Sequence, residues 1–383
     1  MPIEFTHNPR PTVGVELELH LVDRDSGDLV SAANHVLEAM GARYPGGEHP
    51  RAKHELFQST VEIITDVCTT PAEVHRDLRC TLDELTALTE QQNIVPMSAG
   101  THPFARASEQ LVSPAPRYHD LIEAMQWPAR RLLICGTHVH VAVPDGEHAI
   151  TVINELTRHL PLFLALSSSS PFFEGEDSGL ASARSKVFES LPTAGLPPQI
   201  ADWVDFESFM STLLDSECIS SIREVWWDIR PHPDFGTVEL RMCDATPTLS
   251  EATALAALAQ ALVVWCGRHI DAGTLPAPPR EWTVRENRWL AGRYGMDATL
   301  IVEDPAGENV RRRPVRELVE ELLDELKPVA EELGSAAELA DVRTILAAGS
   351  GTERQRRLID DGGTLPDVVH HLARELADDR PLV

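Results

Sequence analysis

Two glutamates and a histidine alternate with aliphatic residues in the segment Val13–Leu21, Val-Gly-Val-Glu-Leu-Glu-Leu-His-Leu. Successive side chains of an extended strand point to opposite faces, so Glu16, Glu18 and His20 share one face and the aliphatic residues share the other. Two carboxylates about 7 Å apart on one face repel each other unless a cation lies between them. Taken alone, the segment fits a solvated edge strand and half of a cation site equally well.

The same alternation recurs in three later segments. His138 and His140 share one face of a strand-like segment opposite a run of valines, and Glu239 and Arg241 share one face of another. A third segment places Glu62 between two β-branched residues. Side by side in one sheet, these segments would form a surface of carboxylates with one or both histidines and an arginine beside them.

Such a surface is typical of a site for a hard divalent cation. Mg²⁺ and Mn²⁺ prefer carboxylate oxygens in octahedral geometry, and Mn²⁺ also accepts imidazole. Several carboxylates without a thiolate argue against structural zinc. Each residue has a plainer role when taken alone, since a single histidine is commonly a satisfied core residue and Arg241 can pair with Glu239. The coincidence across four strands favours a metal site that neutralises a polyphosphate.

The chain has neither the G-x-x-x-x-G-K-[ST] phosphate loop nor G-x-G-x-x-G after a strand, so ATP would bind through metal ions. Guanidinium groups would stabilise the transferring phosphoryl group, and the candidates are Arg241, Arg184 and Arg230. Arg184 lies in an irregular segment, Pro171–Pro198, that is too rich in aromatic and aliphatic residues to be disordered. A carboxylate substrate would form an acyl phosphate that an amine displaces, and neither step requires a protein nucleophile.

The composition is that of an ordinary globular protein, with 383 residues, 43% hydrophobic and 24% charged. A formal charge of −27 disfavours nucleic acid and anionic membranes as partners, because their phosphates would be repelled. A polar, proline-broken start predicts no signal peptide, and the apolar runs Leu160–Leu166 and Ala254–Cys266 are short for a membrane span. Six scattered cysteines without a CxxC pair indicate reduced thiols and a cytoplasmic location.

Hydrophobic periodicity predicts strands and helices that alternate without a regular βαβ rhythm. Further strands are expected at His54–Asp66, Ile94–Gly100, Leu132–Val143 and Thr237–Asp244. Helices are expected at Asn34–Ala42, Thr70–Asn93, Tyr118–Ala124, Glu147–Ser170, Phe206–Leu214, Thr248–His269, Val315–Leu333, Ala336–Ala348 and Glu353–Ala377. Several strands have one polar face, which favours an α+β fold with an antiparallel sheet over a doubly wound parallel sheet. Glu55 is out of parity with Glu62, so it joins the acidic face only through a bend or bulge.

A proline-rich linker at Asp271–Pro279 divides the chain. Residues 1–270 are expected to form a catalytic core that binds ATP and metal. Residues 280–383 are expected to form a charged, helical C-terminal part that packs on this core, either as a separate layer or within one single domain.

Six short motifs occur in a fixed order along residues 12–270. They are Gly14-Val-Glu-Leu-Glu18, Gln58-Ser-Thr-Val-Glu-Ile63 with Glu55, Gly136-Thr-His-Val-His140, Ser182-Ala-Arg-Ser-Lys-Val-Phe188, Trp227-Asp-Ile-Arg-Pro231 and Gly236-Thr-Val-Glu-Leu-Arg-Met-Cys-Asp244. Together they resemble the glutamate–cysteine ligase type 2 family, which comprises bacterial carboxylate–amine ligases related more distantly to glutamine synthetase. The resemblance implies a glutamine synthetase/guanido kinase-like domain whose sheet binds Mg²⁺ (or Mn²⁺) and ATP on a concave face.

The resemblance also implies residue roles and an activity. The implied metal ligands are Glu16, Glu18, Glu55, Glu62, His138 and Glu239. Arg241, Arg184 and Lys186 would contact the nucleotide, His138 is the stronger candidate of the two histidines, and His20 lies outside the family pattern. The implied reaction joins the γ-carboxylate of glutamate to the amine of cysteine and releases ADP and phosphate.

Two other functions remain open on the same residues. One is a phosphoryl transferase or metal-dependent hydrolase, which a phosphorylated acceptor or ATP-independent hydrolysis would reveal. The other is a catalytically silent, nucleotide-binding regulatory protein, which binding without turnover would reveal. The expected partners are glutamate, an amine such as cysteine, and ATP, with no nucleic acid and no membrane; a homo-oligomer is compatible with this sequence.

Overall fold

The structure is a computed structural model that describes residues 3–303 and 310–382; residues 1–2, 304–309 and 383 of the two expected parts lie outside the described residues. The strands are β1 (Val13–Asp23), β2 (Ala52–His54), β3 (Thr60–Ile64), β4 (Ile94–Met97), β5 (Gly136–Ala142), β6 (Phe172–Phe173), β7 (Glu176–Asp177), β8 (Ile229–His232), β9 (Thr237–Asp244), β10 (Thr299–Glu303) and β11 (Val310–Pro314). The α-helices are α1 (Ala33–Gly41), α2 (Pro71–Thr89), α3 (Pro116–Met125), α4 (Gly146–Leu156), α5 (Leu160–Ser167), α6 (Ala183–Phe188), α7 (Trp203–Asp215), α8 (Leu249–Ala272), α9 (Glu281–Tyr294), α10 (Val315–Leu333), α11 (Ala336–Ala340), α12 (Val342–Ala348), α13 (Gly351–Asp360) and α14 (Leu365–Asp378). Short 3₁₀ helices lie at Glu90–Gln92, Ala107–Glu109, Ala129–Arg131, Ile222–Glu224 and Gly295–Asp297.

Within the described residues, seven strands form one sheet with β1 at its centre. The strand order is β2-β3-β1-β5-β9-β8, and β4 pairs with the second half of β1. Strand β1 pairs with β3 on one side and with β5 on the other, and every pairing in the sheet is antiparallel. The antiparallel sheet predicted from the polar strand faces is confirmed.

The apolar face of the sheet is the main core of the protein. Val15, Leu17 and Leu19 of β1 are fully buried, and helices α2 and α8 pack on β1. Helix α8 begins at a capping box formed by Thr248 and Glu251, in which each side chain bonds the other's backbone N–H. By length and composition α8 could cross a membrane, but 83% of its most apolar stretch is buried inside the protein. The segment is therefore long because it runs through the core, covered by neighbouring helices.

The C-terminal part covers the other side of α8. Helices α10, α11 and α12 pack on α8, and Leu326 and Ile345 share one hydrophobic cluster with Leu17 of β1. Besides its helices, this part contains two strands that the sequence did not predict, because β10 and β11 pair antiparallel. Its first strand is rich in β-branched and aliphatic residues, whereas the arginines of the second strand resemble a helix surface in sequence.

Four predicted elements are interrupted in the structure, and one of them is the expected helix Ala336–Ala348, which divides into α11 and α12. The expected strand His54–Asp66 divides into β2 and β3, and the expected helix Glu147–Ser170 divides into α4 and α5. Pro161 lies in the first turn of α5, where its missing N–H is tolerated but cannot continue α4. The expected helix Glu353–Ala377 divides into α13 and α14 at a glycine pair whose first member, Gly362, has φ +94°.

Candidate active site

The register of β1 brings distant acids and histidines to one face of the sheet. Glu18 lies opposite Glu62 on β3, and Glu16 lies opposite His138 on β5. Glu16 and His138 are 122 positions apart in the chain. Opposed side chains of an antiparallel pair lie within about 5 Å at Cβ, so the sheet alone places these groups within reach of a shared ion.

Three overlapping groups of side chains on this face can each hold one metal ion, with the ligand atoms of a group within 4.8 Å of one another. The groups are Glu18–Glu55–Glu62, Glu16–Glu62–His138 and Glu16–His140–Glu239. Glu16 and Glu62 each belong to two groups, so the residues form a continuous set that we call the acid–histidine row. The structure thus brings together all six predicted ligands and adds His140; that they bind metal stays a prediction.

Glu55 joins this face at the bend that its sequence parity required. Residues 55–59 leave the sheet between β2 and β3, and the backbone N–H of Gln58 donates to the carbonyl oxygen of Leu111 at 2.8 Å. The Tyr118 hydroxyl of α3 donates to the carbonyl oxygen of His54 at 2.6 Å. The bend is therefore held by long-range contacts, which short-range periodicity cannot reveal.

At the end of the row around Glu55, the positive charge of nearby arginines such as Arg117 does not balance the carboxylates. Burial, and then the charge of Glu18, raise the pKa of Glu55 to about 8. Burial and the charge of Glu16 raise the pKa of Glu62 well above its usual value of 4.5. The nearest donors are backbone groups, with Gly136 N–H 2.6 Å from Glu18 Oε2. A divalent cation would supply the missing charge and favour the ionised carboxylates.

Two histidines balance Glu16 at the middle of the row. His138 Nδ1 lies 3.1 Å from Glu16 Oε2, and His140 Nε2 lies 3.3 Å from Glu16 Oε1. Burial alone would raise the pKa of Glu16, but the two imidazoles beside it outweigh burial and lower that pKa. His140 Nδ1 lies 3.0 Å from Thr237 Oγ1, which leaves Nε2 facing Glu16 and Glu239. An imidazole held at one nitrogen and open at the other is the usual arrangement of a metal ligand.

The opposite end of the row is already neutralised by arginines. Arg230 Nε donates to Glu239 Oε2 at 2.7 Å, and Arg241 pairs with Glu239 Oε1. Burial would raise the pKa of Glu239, but Arg241 and Arg230 hold it well below its usual range. Arg230 also donates to the carbonyl oxygens of Arg223 and Val225, at 3.0 and 2.8 Å. Arg241 therefore adjoins the row through Glu239, while the donors of Arg230 are largely used within the protein.

Arg184 approaches the row from α6 at the start of β5. A Cβ atom at Gly136 would clash with Arg184 Nη2 and lie 3.0 Å from His138 Nε2, so this close approach requires glycine. The buried guanidinium makes long contacts of 3.4 and 3.3 Å to the carbonyl oxygens of Met242 and Arg241, and its Nε has no hydrogen-bond partner among the described residues. A buried cation with spare donors is well suited to a phosphate oxygen.

The position of Arg184 depends on Asp244, a residue that the sequence pattern did not single out as functional. Asp244 Oδ1 accepts from Ser182 Oγ at 2.7 Å, and Oδ2 accepts from Ser170 Oγ at 2.6 Å. Ser170 Oγ in turn accepts from the Arg184 N–H at 3.1 Å, and Ser182 Oγ caps α6 by accepting from the Ser185 N–H at 3.2 Å. The signal in the sequence was an acid at the end of a buried strand, together with a serine run earlier in the chain.

Two remaining candidates lie in other surroundings. Lys186 Nζ pairs with Glu189 Oε2 at 2.6 Å and lies 5.0 Å from the centroid of the Trp289 ring, so its charge is already balanced. His20 is fully buried with Cys135 Sγ 3.8 Å away, and burial lowers its pKa to about 3. A neutral core histidine agrees with its exclusion from the predicted site.

Comparisons of sequence identify similar proteins along the whole chain. The model of the glutamate–cysteine ligase family 2 matches residues 12–371. The chain is 49% identical over 383 residues to a Thermobifida fusca protein named "Putative glutamate–cysteine ligase 2", covering 100% of this chain and 95% of that one. It is 48% identical over 384 residues to a Frankia casuarinae protein named "Putative glutamate–cysteine ligase 2-1", covering 100% of both.

Solved structures with a similar fold are much more distant in sequence. A glutamate–cysteine ligase from Francisella tularensis, solved in complex with AMP, matches with a TM-score of 0.66 at 12% identity, covering 97% of this chain and 90% of that one. A bifunctional glutathione synthetase from Pasteurella multocida matches with a TM-score of 0.65 at 15% identity, covering 96% of this chain and 52% of that one. These likenesses concern the fold.

Proposed function

This chain belongs to the glutamate–cysteine ligase family 2, and we propose that it joins the γ-carboxylate of glutamate to the amine of cysteine or a related amine at the expense of ATP. Membership of the family and the α+β fold, both predicted from the sequence, are confirmed. The family is one of ATP-dependent ligases of carboxylates and amines. The observation that carries the proposal is the acid–histidine row, with Arg184 and Arg241 beside it.

We propose Mg²⁺, or Mn²⁺, as the ion held by this row. Carboxylate oxygens supplemented by imidazole fit these ions. The raised pKa values of Glu55 and Glu62 and the inward-facing Nε2 of His140 are the features that a bound cation would satisfy. Once bound, such ions would neutralise the phosphate oxygens of ATP. The three ligand groups would then together bind the phosphates of one nucleotide through their metal ions.

The proposed reaction has two steps. A γ-carboxylate oxygen of glutamate bonds to the γ-phosphorus of ATP while the bond from that phosphorus to the β–γ bridging oxygen breaks, which yields ADP and an acyl phosphate. The amine nitrogen then bonds to the acyl carbon, inorganic phosphate leaves, and one amine proton passes to water, which yields the amide. Arg184 and Arg241 would stabilise charge on the transferring phosphoryl group, and the buried site would exclude water from the acyl phosphate.

The test is ADP release from purified protein supplied with ATP, Mg²⁺, glutamate and a panel of amino acids and amines. We expect release to require all four components together. If no amine gives ADP above the blank, the proposed ligase activity is wrong. A phosphorylated acceptor would instead favour the transferase, and ATP binding without any turnover would favour the regulatory protein.

We also propose a cytoplasmic location and small-molecule partners. All six cysteines lie within the described residues and are free, which suits a reducing compartment. A formal charge of −27 disfavours polyanionic partners such as nucleic acid. The hydrophobic cluster shared by β1, α8, α10 and α12 supports the idea that residues 1–270 and 280–383 fold together as one unit.

A further inference from the structure

A cavity of about 730 Å³ lies outside the acid–histidine row, and none of the residues of the row lines it. Its apolar walls include the rings of Phe57, Trp127 and Phe173, and its charged residues include Arg106 and Arg130. This volume lies in the range of pockets that take drug-sized ligands, which is larger than a three-carbon amino acid such as cysteine needs.

Two arginines that line this cavity have no ion-pair partner among the described residues. Arg131 is occupied, because its Nη2 lies 3.2 Å from Glu174 Oε2 and its guanidinium lies 4.9 Å from the centroid of the Trp127 ring. Arg106 and Arg130, by contrast, are exposed and have neither an ion pair nor a side-chain hydrogen bond among the described residues.

The remaining charge of the cavity is positive. Glu174 pairs with Arg131, and among the described residues one further acid, Glu176, lines the cavity with Arg106 and Arg130. The chain has 60 acidic and 33 basic residues, so unpaired arginines beside a cavity are not a consequence of an excess of arginine. They mark a place where a carboxylate of a ligand would be received.

Two residues of the cavity wall lie close along the chain to residues that form or contact the row. Phe57 follows Glu55 by two residues, so their Cα atoms are at most about 7 Å apart. Arg131 precedes Gly136 by five residues, and the N–H of Gly136 binds Glu18. Phe57 therefore places one wall of the cavity near Glu55, at the end of the row where Glu18, Glu55 and Glu62 meet.

We propose that this cavity binds the amine acceptor, and that the acceptor is an amino acid or short peptide larger than cysteine. Its carboxylate pairs with Arg106 and Arg130, its apolar or aromatic side chain packs on Phe57 and Trp127, and its amine points toward the row. This inference rests on the proposed ligase function and narrows its acceptor. Cysteine is then a poor acceptor, because it fills little of the cavity.

The test uses pairs of acceptors that differ only in the carboxylate: tyrosine with tyramine, phenylalanine with phenethylamine, and cysteine with cysteamine. ADP release is measured for the wild type and for the Arg106→Ala/Arg130→Ala variant. The control is Arg43→Ala, which removes an exposed arginine that pairs with Glu84 at 3.5 Å and does not line the cavity.

We expect tyrosine and phenylalanine to have a lower KM than cysteine in the wild type. The double variant should raise the KM of tyrosine by about tenfold or more, as for a lost charge-assisted hydrogen bond, and leave the KM of tyramine, ATP and glutamate unchanged. The Arg43→Ala control should change none of them. A second variant, Ser108→Trp, fills the cavity without changing its charge and should raise the KM of tyrosine more than that of cysteine.

The inference is overturned if tyrosine and tyramine respond equally to the double variant, or if cysteine remains the best acceptor. Failure of the ligase function looks different, because no amine would then release ADP. In that case saturation-transfer NMR with tyrosine and tyramine tests binding to the cavity independently of turnover. Tyrosine binding that the double variant abolishes would keep the cavity as a carboxylate site, and absence of tyrosine binding to the wild type would overturn it.

Discussion

Two clusters of buried charge in this protein are built in opposite ways. In the acid–histidine row, Glu18, Glu55 and Glu62 face one another with backbone N–H groups as their nearest donors. In the C-terminal part, the fully buried side chain of Arg354 joins two acids from different helices. Its Nη1 lies 2.9 Å from Glu251 Oε1 of α8, and its Nε lies 2.7 Å from Glu375 Oε1 of α14.

The Arg354 cluster is complete within the chain. Glu251 Oε2 also accepts from the N–H and the hydroxyl of Thr248, both at 3.1 Å, and Glu375 Oε1 accepts from the Leu382 N–H at 2.8 Å. Burial would lower the pKa of Arg354, but Glu251 and Glu375 raise it, which keeps the guanidinium charged. A cluster with internal partners stabilises the fold, whereas a cluster of like charges with few donors is prepared for a ligand.

The largest effect on activity should come from a substitution in the acid–histidine row. Glu62→Gln removes a carboxylate that belongs to two of the three ligand groups, so ADP release should fall by about 10³-fold. The melting temperature without Mg²⁺ should stay the same or rise, because a neutral amide avoids the burial and repulsion that raise the pKa of Glu62. Steady-state kinetics and thermal unfolding check this, with Glu90→Gln on an exposed acid as the control. Activity within tenfold of the wild type would show that Glu62 does not bind the metal.

A substitution in the Arg354 cluster should instead lower stability and leave activity unchanged. Arg354→Leu leaves Glu251 and Glu375 buried without their partner, and the free energy of unfolding should fall by about 3–5 kcal/mol. The folded fraction should keep its kcat, because Arg354 lies outside the acid–histidine row. Urea unfolding checks the first statement and kinetics at low temperature the second. Adding Glu251→Gln and Glu375→Gln should restore part of the stability; an unchanged midpoint in Arg354→Leu alone would show that the cluster is not structural.

The two clusters also differ in how much the sequence reveals of them. A strand places every second side chain on one face, so acids alternating with aliphatic residues predicted the row before the sheet was known. Arg354 and Glu375 lie on helices in a charged part of the chain, where buried and exposed ion pairs have the same spacing, and Glu251 lies in the first turn of the apolar helix α8. Burial there is decided by which helices meet, and that is a tertiary property.

The same distinction applies to the fold. Strand β1 and helices α2, α8 and α10 follow from local periodicity and capping, and their bounds agree with the prediction within a few residues. The bend at residues 55–59 depends on the hydrogen bond from Gln58 to Leu111, and the position of Arg184 depends on Asp244. Contacts between segments so far apart leave no periodic trace in a single sequence.

Asp244 shares features of both clusters. Its oxygens have hydrogen-bond partners within the protein, and through Ser170 it positions Arg184 beside the acid–histidine row. In Asp244→Asn one oxygen that accepts a hydrogen bond becomes an amide donor, so either Ser182 or the pair Ser169 and Ser170 loses its acceptor. We expect kcat to fall by about 10–100-fold through displacement of Arg184, with a smaller change in the KM of glutamate. A lower free energy of unfolding with an unchanged kcat would instead indicate a purely structural role. Asp83→Asn, on an exposed acid of α2, is the control.

The smallest expected effect is on the stability of the metal-free protein at different pH. The folded pKa of Glu55, about 8, lies above its usual 4.5, so the folded state holds the extra proton and stability falls as pH rises from 5 to 8. The raised pKa of His140 acts in the same direction. Mg²⁺ binds the deprotonated row, so it should raise the melting temperature more at pH 8 than at pH 5.5, with a difference of about 2 °C or more.

Thermal unfolding in EDTA and in Mg²⁺ at both pH values measures this, and Glu55→Gln should reduce the difference. An equal Mg²⁺ effect at both pH values would mean that the open end of the row does not take up the ion, which would leave Glu16, His140 and Glu239 as its binding group.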